Sequence, residues 1–224
     1  MRTAEAELRR RAALLTLGCA KNMVDSEQIA SLLAARGVEI VHRLEGATVA
    51  IVNTCGFIDP AKEESIGVIL EVADRKETGA LETLIVTGCL SERYGGELAK
   101  ELPEVDVLTG IDPSGTAKAA LKALGLEDGS DVHGPRLRRH RLTPAAWSYL
   151  RVSEGCSNRC AYCAIPLIRG PLRSRPMKEL IEEAHYLAES GVRELNLIAQ
   201  DTAAYGTDLY GRPKLHRLLQ ELCE

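Results

Sequence analysis

Thr48-Val49-Ala50-Ile51-Val52-Asn53-Thr54-Cys55 marks the centre of a sheet. Val49 to Val52 is an unbroken apolar run, rich in β-branched residues, with no polar alternation. A strand of that kind is covered on both faces, as central strands of parallel sheets are. The same strand–helix unit recurs on either side. Ala12 to Leu17 is a short apolar run closed by Gly18-Cys19. Ile29, Leu32 and Leu33 then recur at helical spacing, with Asp25 or Ser26 as the expected cap and Gly37 as the stop. Val38 to Val41 is the next strand. Beyond Cys55, Pro60 to Lys76 predicts a helix with Pro in a tolerated first-turn position and Ile66, Ile69, Leu70 and Ala73 on its inner face. Thr83 to Val86 predicts a strand ending at Gly88-Cys89, followed by a helix near Glu92 to Glu101, a strand at Val105 to Leu108 and a helix from Pro113 to Leu124. This alternation predicts an α/β domain with a parallel sheet over residues 12–124.

Residues 125–144 break the rhythm with Gly, Asp, His, Pro and Arg and read as a linker. The run Arg136, Arg138, Arg139, His140 and Arg141 falls inside it and reads as solvated coil. From 145 onward the pattern resumes: a strand at Tyr149 to Val152, a helix at Met177 to Ser190, a strand at Glu194 to Ala199 and a helix at Leu215 to Leu222. Two such units cannot close a barrel.

Length and composition bound the function. With 224 residues, 45% of them hydrophobic, the chain can bury one or two cores. No apolar run approaches the roughly 20 residues of a membrane span. Met1 to Arg11 lacks the apolar core of a secretion signal and reads as a lead-in to the first strand. The expectation is a cytoplasmic protein with no membrane partner. A net charge of −4 argues against global attraction to nucleic acid.

Seven cysteines are too few and too unevenly spaced for a secreted disulfide scaffold, and point instead to metal binding or catalysis. Cys156, Cys160 and Cys163 stand at i, i+4 and i+7, within reach of one loop wrapped around one iron–sulfur cluster. Such clusters normally take four thiolates, so three leave one iron open to another ligand. The same spacing also describes a helix face, but Gly155, Asn158 and Pro166 mark a loop. A structural zinc site would want four closed ligands. A second set, Cys19, Cys55 and Cys89, is scattered, yet each lies just beyond a predicted strand. Residues past the carboxyl ends of strands in an open α/β sheet gather in one crevice. Packing of small buried residues is the other reading of this set. Cys223, on a helix with Leu219 and Leu222, is expected in a core.

With Tyr162 before the last cysteine, Gly155-Cys156-Ser157-Asn158-Arg159-Cys160-Ala161-Tyr162-Cys163 resembles the signature of the radical S-adenosylmethionine superfamily. The segments Cys160 to Pro166, Arg169-Gly170, Arg173-Ser174-Arg175, Leu17 to Asn22, Asn53 to Ile58 and Gly88-Cys89 resemble its methylthiotransferases, most closely the branch that modifies an aspartate of ribosomal protein S twelve. The resemblance implies a Rossmann-like amino-terminal methylthiotransferase domain followed by the incomplete start of a radical SAM partial (βα) barrel, in a chain inactive by itself. It implies two 4Fe-4S clusters, one on Cys156, Cys160 and Cys163 and one on Cys19, Cys55 and Cys89. It also implies S-adenosylmethionine, bound at the open iron of the loop cluster and cleaved there to a radical. Tyr162 is expected against the adenine, with Gln200 and Asp201 near the methionine amino group. One of Arg169, Arg173 and Arg175 is a candidate for the cofactor carboxylate or an acidic substrate. The expected partners are ribosomal protein S twelve, or the small ribosomal subunit, and a reductant such as flavodoxin or ferredoxin. RNA contact would fall mainly to residues outside this chain. Two alternatives remain open: the same chemistry on an adenosine of transfer RNA, and a non-catalytic two-cluster electron carrier.

Overall fold

The computed structural model describes residues 10–79, 81–127 and 139–224, which form two compact units, Met1–Pro135 and Arg136–Glu224. In the first unit five parallel strands are ordered β2-β1-β3-β4-β5. They are β1 (Arg11–Thr16), β2 (Glu39–Val41), β3 (Val49–Thr54), β4 (Thr83–Gly88) and β5 (Val107–Leu108). Every residue of β3 is buried. Helices α1 (Ala20–Ala34), α2 (Asp59–Glu77) and α3 (Cys89–Glu101) connect β1 to β2, β3 to β4 and β4 to β5, and α4 (Pro113–Ala123) follows β5. Ala50 and Val52 join one core with Ile69, Val72 and Ala73 of α2 and Leu90 and Leu98 of α3. Strand alternation turns Ile51 to the opposite face, where α1 packs on α4.

Three local expectations are corrected. Neither Asp25 nor Ser26 caps α1, which already begins at Ala20 with Cys19 in the N-cap position. Ser26 is buried inside the helix, where its hydroxyl accepts from Thr16 Oγ1 at 2.7 Å and from Asn53 Nδ2 at 2.9 Å. The buried face of α2 is Ser65, Ile69, Val72 and Ala73, leaving Ile66 and Leu70 exposed. A polar residue takes the inward position because Ser65 Oγ receives the Cys55 N–H at 3.0 Å and donates to the Cys55 carbonyl at 2.9 Å. The helix expected near Glu92 begins three residues earlier, so Cys89 is the first residue of α3. Asp112 does cap α4, accepting from Ser114 N and Gly115 N.

In the second unit β6 (Trp147–Arg151) pairs in parallel with β9 (Glu194–Ile198), and α6 (Met177–Glu189) connects them. Leu150, Leu180, Ala184, Tyr205 and Leu218 form its core, the last from α8 (Leu215–Leu222). An antiparallel pair, β7 (Ser153–Glu154) with β8 (Arg173–Ser174), and the short helices α5 (Ile165–Ile168) and α7 (Thr207–Tyr210) carry no periodicity a sequence could display. Cys223 is exposed, not in the core. Arg136 and Arg138 of the basic run lie outside the described residues, as does most of the expected linker. Arg139 is buried, against the expectation of a solvated charge. It pairs with Glu183 at 2.8 Å and donates to the Tyr149 carbonyl. No helix among the described residues is long and apolar enough to cross a membrane.

Candidate functional site

In the first unit the strand order explains where the scattered cysteines fall. Cys19, Cys55 and Cys89 follow β1, β3 and β4, three adjacent strands, and the connection order reverses between β1 and β3. Such a switch point opens a crevice at the strand carboxyl ends. Each of these cysteines has a glycine neighbour, and each glycine is wedged where no side chain fits. A Cβ on Gly18 would lie 2.6 Å from Cys55 Cβ, and one on Gly56 would lie 2.6 Å from Leu90 Cα and 3.1 Å from the Cys89 carbonyl carbon. One on Gly88 would lie 2.4 Å from the Thr54 carbonyl oxygen. Gly18 and Gly88 also hold φ of +84° and +99°, the left-handed range that other residues rarely adopt. The cysteine loops therefore interlock: the first against the second, the second against the third.

Asn22 ties them further. Its Nδ2 donates to the Leu17 and Thr54 carbonyls, both at 2.9 Å, and its Oδ1 accepts from Cys89 Sγ at 3.6 Å. Asn53 Nδ2 in turn donates to the Asn22 carbonyl at 2.9 Å. Cys19 and Cys89 stand at the starts of α1 and α3, where the helix dipole favours an anionic group nearby. The three thiols carry no disulfide, and run from exposed at Cys19 to buried at Cys89. Among the described residues no group of three His, Cys, Asp or Glu side chains is arranged to hold a metal ion as it stands. The backbone cradle and its helix ends fit an anionic cluster; gathering the thiols on it would take side-chain rotation.

In the second unit the loop after β7 carries Cys156, Cys160 and Cys163, and it is pinned at intervals. Gly155 turns with φ of +69°, and a Cβ there would lie 2.1 Å from the Pro171 carbonyl oxygen. Cys156 N donates to the Gly170 carbonyl at 3.1 Å, and Leu172 N donates to Ser157 Oγ at 3.1 Å. Arg159, between the first two cysteines, takes a left-handed φ of +52°, a local strain for a side-chain-bearing residue. Cys163 N donates to the Cys160 carbonyl at 3.0 Å, closing the turn that ends the triplet. Cys160 is exposed, Cys156 and Cys163 are half-buried, and Tyr162 is 90% exposed. Thiols at a solvent-open loop held by backbone bonds fit a cluster with one iron left accessible.

Beneath this loop Glu154 binds Arg151 at 2.8 Å and Arg169 at 3.1 Å, and receives the Gly155 N–H at 3.3 Å. Burial pushes its carboxyl up, but the two guanidiniums and these hydrogen bonds outweigh burial and hold it below the ordinary range. Arg169 is thus a buried strut under the loop, which removes it as a candidate for a cofactor or substrate carboxylate. Arg175 is engaged too, pairing with Glu183 at 2.6 Å and donating to the Arg151 carbonyl at 3.1 Å. Arg173 is exposed on β8. Asp201 follows β9 and accepts from Asn158 Nδ2 at 2.8 Å and from the Ala203 and Ala204 N–H groups at 3.0 and 3.3 Å. Gln200, half-buried, is at the same strand end. Asn22 lies in a segment that carries the resemblance, but its bonding, like that of Ser65 and Glu154, had no signal in the sequence: each acts through a partner far along the chain or on the backbone.

Comparison with known proteins adds to this geometry. Residues 11–110 match the model of the Uncharacterized protein family UPF0004, and residues 150–224 match the Radical SAM superfamily. A ribosomal protein uS12 methylthiotransferase RimO of Myxococcus xanthus is 49% identical over 216 residues, covering 94% of this chain and 45% of that protein. The protein of the same name from Clostridioides difficile is 48% identical over 219 residues, 95% of this chain and 49% of its own length. That of Symbiobacterium thermophilum is 45% identical over 217 residues, 94% and 45% respectively. The chain spans about half the length of the curated relatives it matches.

Proposed function

We propose, from the premise that the chain belongs to the radical SAM methylthiotransferase family, that it supplies the cluster-holding portion of an enzyme placing a methylthio group on the β-carbon of an aspartate of ribosomal protein S12. The family rests on the two matched domains and the relatives above. The S12 target rests on those relatives' name. In this reading residues 12–124 form the methylthiotransferase domain, 125–144 a linker and 145–224 the start of the radical SAM domain, working in the cytoplasm with a small reducing protein as electron donor.

The observation that carries the reading is the glycine interlock of the Cys19, Cys55 and Cys89 segments, which supports a second three-thiol site in addition to the loop triplet. Cys156, Cys160 and Cys163 would hold one 4Fe-4S cluster and Cys19, Cys55 and Cys89 another. When bound, these clusters and S-adenosylmethionine supply the electron, the radical and the sulfur that protein side chains lack. The chain's own part is positioning. Glu154 and Arg169 brace the loop from below, the Cys156 N–H and Ser157 hydroxyl anchor its start, and Asn158 with Asp201 fixes its middle to β9. Exposed Tyr162 offers an aromatic face for adenine, and Gln200 a polar group at the strand end. Asp201 spends its carboxylate on the fold, so its role is to hold the loop in place.

The test is anaerobic reconstitution of this chain followed by iron and sulfide counting. About eight irons per chain, falling to about four in Cys156→Ala/Cys160→Ala/Cys163→Ala, is the expected result. About four in the wild type and none in the variant would reduce the scattered triplet to packing and remove the sulfur-donating half of the proposal.

A further inference from the structure

We propose that Asn22 is the positioning residue of the first-unit triplet: its side chain sets the mutual spacing of the three cysteine loops. The proposal rests on the reading of Cys19, Cys55 and Cys89 as ligands. Asn22 is fully buried, on the first turn and a half of α1, three residues past Cys19. Its amide has one arrangement available. Both Nδ2 hydrogens go to carbonyl oxygens, Leu17 O from the loop that leads to Cys19 and Thr54 O directly before Cys55. Turning the amide over would set Oδ1 against those two oxygens, so Oδ1 faces the third segment, where the protonated Cys89 thiol donates to it at 3.6 Å; that proton is given up when Cys89 ligates as a thiolate, while the two Nδ2 bonds remain. One side chain therefore contacts all three cysteine segments, 5, 32 and 67 residues away in sequence.

Its own backbone is held in turn. Asn53 Nδ2 donates to the Asn22 carbonyl and to Ser26 Oγ, and Ser26 Oγ receives Thr16 Oγ1, so the hub is fastened to β1 and β3. Gly18 and Gly56 bring the loops close; Asn22 decides the register in which they meet. Aspartate has the same shape and lacks both donors, so Asn22→Asp would set carboxylate oxygens against the Leu17 and Thr54 carbonyls and spread the loops apart.

The experiment uses the chain carrying Cys156→Ala/Cys160→Ala/Cys163→Ala, in which only the first-unit triplet can bind iron. Asn22→Asp is expected to lower iron from about four per chain to below about one, and to remove the visible cluster absorption. Circular dichroism at the reconstitution temperature should stay that of the folded parent. Leu121→Ala, a fully buried core change on α4 that bonds to none of the three cysteine loops, is the control for stability alone and is expected to keep its iron. Folded Asn22→Asp with full iron would overturn the proposal and leave Asn22 a structural residue. Should Asn22→Asp not fold, Asn22→Ala, which removes both donors without adding charge, is read by the same two outcomes. A triple-cysteine background that binds no iron at all would instead overturn the ligand reading on which the proposal stands.

Discussion

Asn158 donates from Nδ2 to Asp201 Oδ2 at 2.8 Å, joining the interval between Cys156 and Cys160 to the carboxyl end of β9, 43 residues further on. Asp201 Oδ1 meanwhile takes the Ala203 and Ala204 N–H groups, so the carboxylate is held before the loop docks on it. Exposed hydrogen bonds of this kind contribute about 0.5–1.5 kcal/mol. Asn158→Ala should therefore weaken S-adenosylmethionine binding to the reconstituted protein roughly two- to tenfold, with iron content unchanged. Equilibrium dialysis with labelled cofactor measures this; unaltered affinity would mean that the loop is set by its backbone bonds alone.

On the proposed reading the two triplets have separable tasks. In an enzyme completed by the remainder of its length, Cys160→Ala should abolish both S-adenosylmethionine cleavage and methylthio product. Cys55→Ala should leave cleavage in place while product disappears. Chromatography of 5′-deoxyadenosine and mass spectrometry of the S12 peptide read the two steps side by side. Equal loss of both steps in Cys55→Ala would contradict the division.

Gly56 isolates close approach from backbone conformation, because its φ is not in the left-handed range while its missing Cβ is needed against the Leu90 backbone at 2.6 Å. Gly56→Ala has no flexible neighbour to displace. It should cost about 1–3 kcal/mol, the range for overpacking, and lower first-unit iron with it. Urea unfolding followed by circular dichroism checks the first part; a variant within about 0.5 kcal/mol of the parent would show that the loops yield easily.

Glu183, buried on α6, holds Arg139 on one oxygen and Arg175 on the other. Glu183→Leu strands the Arg139 guanidinium, whose side chain is 3% exposed, and should cost about 3–5 kcal/mol. Arg139→Met added to Glu183→Leu should recover most of that loss. Trp147, the one tryptophan of the chain and part of β6, reports unfolding of the second unit by fluorescence. A loss below about 1 kcal/mol in the single variant would mean that water reaches the stranded charge.

Much of the architecture was legible because it is written in short-range patterns. The unbroken run Val49 to Val52 announced a doubly covered strand, and Gly155, Asn158 and Pro166 announced that Cys156, Cys160 and Cys163 share a loop. The inward face of α2 was misread at Ile66 and Leu70 because the hydrophobic pattern cannot register a serine that earns its place by clamping the Cys55 backbone. The antiparallel pair β7 and β8 was missed because two-residue strands have no period.

By itself, then, the sequence determined the alternation of strands and helices, the identity of the cysteine-bearing turns and the resemblance they carry, since each depends on residues within one element or one loop. Folding alone sets β1, β3 and β4 side by side, interlocks their ends at Gly18, Gly56 and Gly88, and brings one buried amide at Asn22 against all three. It also turned Arg169 from a ligand candidate into a strut beneath the loop. The physical reason is range. Periodicity and capping act over a few residues, whereas a hydrogen bond to a carbonyl 32 positions away, or a Cβ excluded by another loop, exists only once the strand order has brought those backbones together.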